Sequence, residues 1–294
     1  MPAEVGLFLP QLRMDFPTIE ARVRLADQLG FHSIWFMDHL TPPAGPGYDC
    51  FEGWTVAAAL ARVTERIHLG HLVLCDAFRH PALLAKMAAT LDVVTEGRLE
   101  LGLGWGSVPA EIERFGFGEA TNRQRAARLG ETLQILALMF SGEEFDFEGD
   151  FFTLRGAVGR PRPHAGRVPV HLGGAGEKLT LPLVAEYADW WNCPSYGIAR
   201  LDELRPQTGS ARLSVQHPVG LATSSADRDE VVAQAERRFG AWGGLIAGTP
   251  DEVAAALRAE VDLGAELFTI PFTDFALPET LELFAEEVLP ALRD

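Results

Sequence analysis

Cysteine is scarce: Cys50, Cys75 and Cys193 are the only three in 294 residues, with no CxxC pair and no even set to bridge. A disulfide framework is therefore excluded, and a reducing, cytoplasmic compartment is expected. Basic residues are short too, 25 Lys and Arg against 41 Asp and Glu, for a net charge of −16. Such a field repels phosphate backbones and anionic headgroups, which argues against nucleic-acid and membrane-surface partners. An anionic ligand has to be held by local donors such as backbone N–H groups. Long apolar runs are missing as well. The run over residues 56–61 stops at Arg62, far short of the roughly 20 residues that cross a bilayer. Residues 1–10 carry neither a basic region nor a long apolar stretch, so they do not read as a secretory signal.

What is present is ordinary globular usage, 47% hydrophobic and 22% charged, which excludes disorder and fibrous repeats. Length suggests two domains at about 150 residues each, although a single α/β barrel commonly reaches about 250. Periodicity favours the barrel. Apolar runs of strand length stand at 5–9, 33–37, 67–74, 98–103, 168–172, 189–193, 213–221 and 266–272. Helical stretches alternate with them. The first has Ile19, Val23, Ala26 and Leu29 on one face, Pro17 in its first turn and Gly30 past its end. Leu84, Met87, Leu91 and Val94 form a second stripe opened by Pro81, and Leu129, Leu133, Leu136 and Phe140 a third. Further helices are expected near 52–63, 177–187, 226–239, 250–263 and 279–289, the fourth of these opened by a capping box at Thr249-Pro250-Asp251-Glu252. Pro182 fits a helix only if that helix starts near Thr180. Eight strand–helix units without a Gly/Ser linker predict one domain over residues 1–294, a single (β/α)8 TIM barrel, in which chemistry sits where strands end. A hairpin insertion is expected at 144–165, and a second insertion, at 194–212, over the active face.

Three segments could carry chemistry. Asp38-His39 directly follows an apolar strand, placing a carboxylate and an imidazole at the barrel mouth; caps and turns use the same residue types. The stretch 102–107 has glycine at 102, 104 and 106 but serine at 107, so the dinucleotide pattern GxGxxG fails. Those glycines mark either tight backbone packing or a floor for a flat ring system, with Trp105 as a wall. Gly173-Gly174-Ala175-Gly176-Glu177-Lys178 precedes a helix and suits phosphate binding by backbone N–H groups. Phe8, Gln11, Ser107 and Trp191, near strand ends, are expected to line a substrate pocket. No metal site is expected: His68 and His71 are three apart in a strand and point to opposite faces. Ser107 lacks a GxSxG elbow, so acyl-enzyme chemistry has no support.

Residues 33–39, 66–70 leading to Val73, His80-Pro81 with the helix through 83–86, 97–104 and Gly173-Gly174 together resemble the bacterial-luciferase-like oxidoreductases, in a form closer to the branch dependent on coenzyme F420. The resemblance implies a luciferase-like barrel binding F420, or alternatively flavin mononucleotide (FMN), at the strand C-termini. It implies that His39 donates or accepts a proton, that Asp38 lies near the ring, and that Leu72-Val73 forms a bulged cis step behind it. Gly104, Trp105 and Gly106 would border the ring, and Gly173, Gly174, Ala175, Gly176 and Glu177 would hold the phosphate. Departures are Leu72, where relatives often have a small residue, and the lack of an acidic residue near Ser107. Gln11 replaces an acidic side chain of the sugar-phosphate-oxidising relatives, which argues against that substrate. The alternatives are an FMN monooxygenase using oxygen with a separate reductase, and a cofactor-binding protein without turnover. A homodimer through the helices after strands two and three is implied, with Ala57, Ala58 and Leu60 at its surface.

Overall fold

The computed structural model describes residues 2–43 and 47–293. Its first strand, β1 (Glu4–Phe8), leads into α1 (Phe16–Leu29), which Asp15 caps by accepting from the Thr18 N–H and which Gly30 ends in the left-handed conformation, φ 83°. The chain continues through β2 (Ser33–Phe36), α2 (Gly53–Leu60), β3 (His68–His71), β4 (Leu74–Cys75), α3 (Pro81–Val94) and β5 (Leu99–Gly104). After α4 (Pro109–Arg114) and α5 (Asn122–Ser141), an antiparallel hairpin of β6 (Glu144–Glu148) and β7 (Thr153–Val158) projects outward. The second half holds β8 (Val170–Gly173), α6 (Thr180–Tyr187), β9 (Trp190–Cys193), α7 (Leu201–Leu204), β10 (Arg212–Gln216) and β11 (Val219–Leu221). It ends with α8 (Arg228–Phe239), β12 (Ile246–Gly248), α9 (Pro250–Val261), β13 (Ala265–Ile270), α10 (Pro278–Glu287) and α11 (Leu289–Arg293).

The strands pair in the order β3-β2-β1-β13-β10-β9-β8-β5, and β3 also pairs with β5, so the parallel sheet closes into an eight-position barrel. This is the expected (β/α)8 architecture, corrected in detail. The run at 67–74 is two strands, β3 and β4, interrupted by a cis Leu72–Val73 peptide. The run at 213–221 also divides: Pro218, with no N–H to donate, separates β10 in the barrel from β11, which pairs outside it with β12. On α3 the buried stripe runs through Leu84, Ala85, Ala88 and Leu91, leaving Met87 half-buried and Val94 exposed. Alanines let that helix approach the barrel closely, so small residues mark its inner face. Pro182 falls in the first turn of α6, where it costs no helical hydrogen bond. Residues 195–207 form short helical turns rather than open loop. Ala57 and Leu60 are fully buried in the core, so of the three residues expected on a dimer surface only Ala58 faces outward. Among the described residues no helix is long and apolar enough to cross a membrane.

The barrel interior is layered. Phe8, Trp35, Met37, Trp190 and Leu267 pack its middle, and a polar cluster closes its N-terminal floor. There Glu100 accepts from His68 Nδ1 at 2.9 Å and from His171 Nε2 at 2.8 Å. Burial alone would raise the Glu100 pKa, but the bonds from His171 and His68 outweigh it and hold the carboxyl at about 2. A depressed folded-state value means the stabilisation is complete above the unfolded value of 4.5 and is lost as pH falls toward 2. At 1.36 kcal/mol per pKa unit, the loss is roughly 3 kcal/mol. Glu100→Gln is expected to flatten this acid limb in urea melts taken between about pH 5 and pH 3. An acid limb identical to that of the parent would refute the assignment.

Candidate active site

At the opposite, C-terminal rim, β2 delivers Asp38 and His39 as the sequence pattern predicts. Their environments differ. Asp38 is buried, accepts from the Cys75 N–H at 2.8 Å, and pairs bidentately with Arg79 at 2.7 and 2.9 Å. Arg79 also reaches Glu52, the residue that caps α2, at 2.6 Å. Burial opposes the charge on Arg79, but the two carboxylates prevail and raise its pKa. Three donors thus hold the Asp38 carboxylate in place, and it anchors the rim.

His39 is half-buried, and its Nδ1 lies 2.8 Å from Glu111 Oε2. The other Glu111 oxygen accepts from the backbone N–H groups of Leu40 and Thr41 at 2.8 and 3.0 Å. A carboxylate so engaged accepts from His39 Nδ1, which leaves Nε2 as the ring nitrogen outside this bond. Nothing near His39 in sequence identifies Glu111, which lies 72 residues away in α4. Pro109 at the start of α4 was a readable helix signal; its placement against β2 was not.

The glycines at 102 and 104 have one cause. A Cβ at Gly102 would stand 1.8 Å from the His71 carbonyl oxygen, and one at Gly104 would stand 2.6 Å from Val73 Cγ2. The bulged Leu72–Val73 step thus presses onto β5, and only glycine admits it. Beyond β5, Gly106 adopts φ +90°, and Trp105 donates from Nε1 to Thr180 Oγ1 at 3.2 Å, linking this rim to the start of α6.

Between β8 and α6, Gly174 has φ +124°, and its carbonyl accepts from Trp191 Nε1 at 2.8 Å. The Gly176 carbonyl accepts from the N–H groups of Thr180 and Leu181. The N–H groups of Ala175, Gly176 and Glu177 have no acceptor among the described residues. They supply the free donors that an anion requires at a helix start.

These pieces surround one cavity of about 450 Å3, within the size range of small-molecule sites. Its lining unites Asp38, His39, Leu72, Val73, Gly104, Trp105, Gly106, Ser107 and Gly173 through Gly176. Four of the anticipated residues do not line it. Phe8 belongs to the barrel's apolar middle layer. Gln11 is fully buried, its amide spanning the Met37 backbone and the Phe51 carbonyl. Trp191 is fully buried and supports the Gly174 carbonyl from behind. The Glu177 side chain turns to solvent, bonded to Arg200 and Gln207, so only its backbone can serve an anion. Unanticipated are Cys75, Val108, Glu111, Ile112, Thr180 and Tyr196, which complete the wall. Burial pushes the Cys75 thiol up to about 12, so it is no nucleophile.

A family model described as luciferase-like monooxygenase matches residues 2–242. The chain is 33% identical over 314 residues to an F420-dependent glucose-6-phosphate dehydrogenase of Microbacterium testaceum (strain StLB037), covering 92% of this chain and 91% of that one. It is 28% identical to the protein of the same name from Amycolatopsis mediterranei (strain U-32), with 94% of each covered. Among solved structures it is similar to an F420-dependent secondary alcohol dehydrogenase in complex with an F420-acetone adduct, with TM-score 0.83, 19% identity and 100% of both chains covered. It is also similar to the EDTA monooxygenase of Chelativorans sp. BNC1, with TM-score 0.85, 18% identity and coverage of 99% of this chain and 94% of the other. At these identities the two structures share the fold alone.

Proposed function

The chain belongs to the luciferase-like monooxygenase family, and from that membership we propose that this oxidoreductase transfers a hydride between the deazaflavin coenzyme F420 and a small organic substrate, with His39 managing the substrate's proton. The observation that carries the reading is one cavity in which a glycine floor, the cis Leu72–Val73 step, His39 held by Glu111, and the free N–H groups of 175–177 converge. The names of the relatives at about 30% identity support F420 over FMN.

The residues present fit such a group. Side chains at 104 or 106 would collide with Val73 or Ile112, so the floor stays flat, and unbonded amides wait for an anionic tail. When bound, the cofactor supplies the hydride-transfer chemistry. The protein's own part is narrower. Val73 and Gly104 shape the floor, and Ala175 to Glu177 hold the tail against the chain's negative field. Glu111 fixes the ring of His39 through Nδ1 and leaves Nε2 for the substrate's proton, and Tyr196, from the turns after β9, adds to the wall. Besides His39, the charged residues lining the cavity are Asp38 and Glu111, both acidic. A dianionic sugar phosphate finds no cation there, so the proposed substrate is an uncharged organic molecule.

Paired dissociation constants for F420 and FMN on the purified protein test the reading. F420 is expected to bind at least about tenfold tighter, a difference of 1.4 kcal/mol. The reverse order would replace it with an FMN monooxygenase fed by a separate reductase, and tight F420 binding without turnover across a substrate panel with a binding protein. Gly176→Asp places a carboxylate beside the free amides, with its Cβ 3.1 Å from Thr180 Oγ1. It is expected to weaken F420 by about tenfold or more with the fold retained; unchanged affinity would remove the tail assignment.

A further inference from the structure

The barrel floor, remote from the cavity, holds a second cluster of chemistry-bearing side chains. His32 precedes β2, His68 opens β3, and Glu100 is the second residue of β5. The strand pairings β2–β3 and β3–β5 bring them together. One donor atom from each lies within 4.8 Å of the other two. The cluster has a feature that packing does not explain: His32 Nδ1 is buried and has no hydrogen-bond partner. Burial, and then the adjacent His68, lower the His32 pKa, which favours the neutral ring, and in its Nε2–H tautomer that ring offers Nδ1 as a lone pair.

We propose that His32, His68 and Glu100 form a binding site for a divalent transition-metal ion of the zinc type. Two imidazole nitrogens and one carboxylate oxygen are a donor set suited to Zn2+ and poorly suited to Mg2+ or Ca2+, which select oxygen ligands. His68 Nδ1 and Glu100 Oε1 already stand 2.9 Å apart. Bonds of about 2.0–2.2 Å in tetrahedral geometry need ligand atoms about 3.3 Å apart. That pair has to open by a few tenths of an ångström, while His32, stacked on His68 with ring centroids 4.7 Å apart and planes 23° apart, has to turn its ring so that both imidazole lone pairs meet at one ion. The outer support exists: His171 Nε2 donates to the other Glu100 oxygen at 2.8 Å, which orients the carboxylate. The His68 side chain, 32% exposed, provides a path from solvent.

The hydrogen shared by His68 Nδ1 and Glu100 Oε1 has to leave, and His32 binds as the neutral ring. Uptake of each ion therefore releases about one proton to solvent. Water fills the fourth position. The ion would tie the N-terminal ends of β2, β3 and β5 together, a structural role at the face of the barrel away from the chemistry.

Within β3, His71 lies on the face opposite His68 and packs against Trp54; the partners of His68 lie on neighbouring strands.

The test is titration of the tag-free, full-length protein with Co2+ near neutral pH. The d–d absorption of four-coordinate Co2+ is expected to saturate at one equivalent, with about one proton released per ion, and Zn2+ is expected to bleach the bands. His32→Ala and His68→Ala are each expected to weaken binding about 100-fold, and His171→Asn about tenfold. His32→Ala decides the matter even if the His68 variant fails to fold, because His32 makes no side-chain hydrogen bond among the described residues. No saturable band, no proton release, or undiminished affinity in His32→Ala would overturn the proposal.

Discussion

His39→Ala is expected to lower turnover with F420 by about 10²- to 10⁴-fold, the range a positioned general acid or base contributes, while F420 affinity changes little. Two contacts in series hold the ring. Glu111 is held by the backbone N–H groups of Leu40 and Thr41, and it holds His39 Nδ1 in turn. The bond fixes the ring's Nδ1, so the proposed proton transfer falls to Nε2. Glu111→Gln tests the second link separately. Its amide can donate as well as accept, so it no longer enforces the Nδ1–H tautomer. Turnover is expected to fall in the same direction as in His39→Ala but by less, with thermal stability close to the parent. The measurements are kcat, KM and a cofactor dissociation constant for each variant. A His39→Ala enzyme that binds F420 and turns over at the parent rate would end the proton-transfer role.

How far the sequence discloses this arrangement depends on the range of each contact. Gly30 as a helix end and Thr249 with Glu252 as a capping box are local, and both are found where composition places them. Asp38, His39 and the glycines at 104, 106, 173, 174 and 176 are legible because strand ends and glycine clusters mark a barrel rim, the Leu72–Val73 step is legible only through the family resemblance, and all meet at one cavity. The residues that orient them are not legible. Glu111, Arg79 and Thr180 act through contacts spanning tens of residues, which no spacing rule reaches. Gln11 and Trp191 mislead for a related reason. Both are close to the rim in sequence, as pocket residues are, but their side chains are fully buried and bond backbone carbonyls, Met37 and Phe51 for Gln11 and Gly174 for Trp191. The same limit explains the splitting of the run at 213–221, where alternation continues through Pro218 although the barrel wall does not.

Asp38→Ala is expected to cost about 3 kcal/mol of stability, the lower part of the range for breaking a buried ion pair. The Asp38 and Arg79 side chains are 2% and 12% exposed, so removing the carboxylate strands a guanidinium that is almost out of water. Glu52 remains beside Arg79, but it is 41% exposed, and solvent screens much of its attraction; it lowers the cost without cancelling it. The Cys75 N–H loses its acceptor as well, which loosens the segment directly after the Leu72–Val73 step and so the floor of the cavity. F420 affinity is therefore expected to fall with stability. Asp38→Asn should lie between, since its carbonyl oxygen can still accept from Cys75 while the charge is lost. The double variant Asp38→Leu with Arg79→Met should recover most of the folding loss, because burying two apolar groups removes both desolvation penalties. Urea melts of the four proteins separate this from a proton-transfer role for Asp38. An Asp38→Ala protein with the parent's midpoint and slope but with turnover lowered as in His39→Ala would show the carboxylate to be a reacting group, and the anchoring role would be wrong.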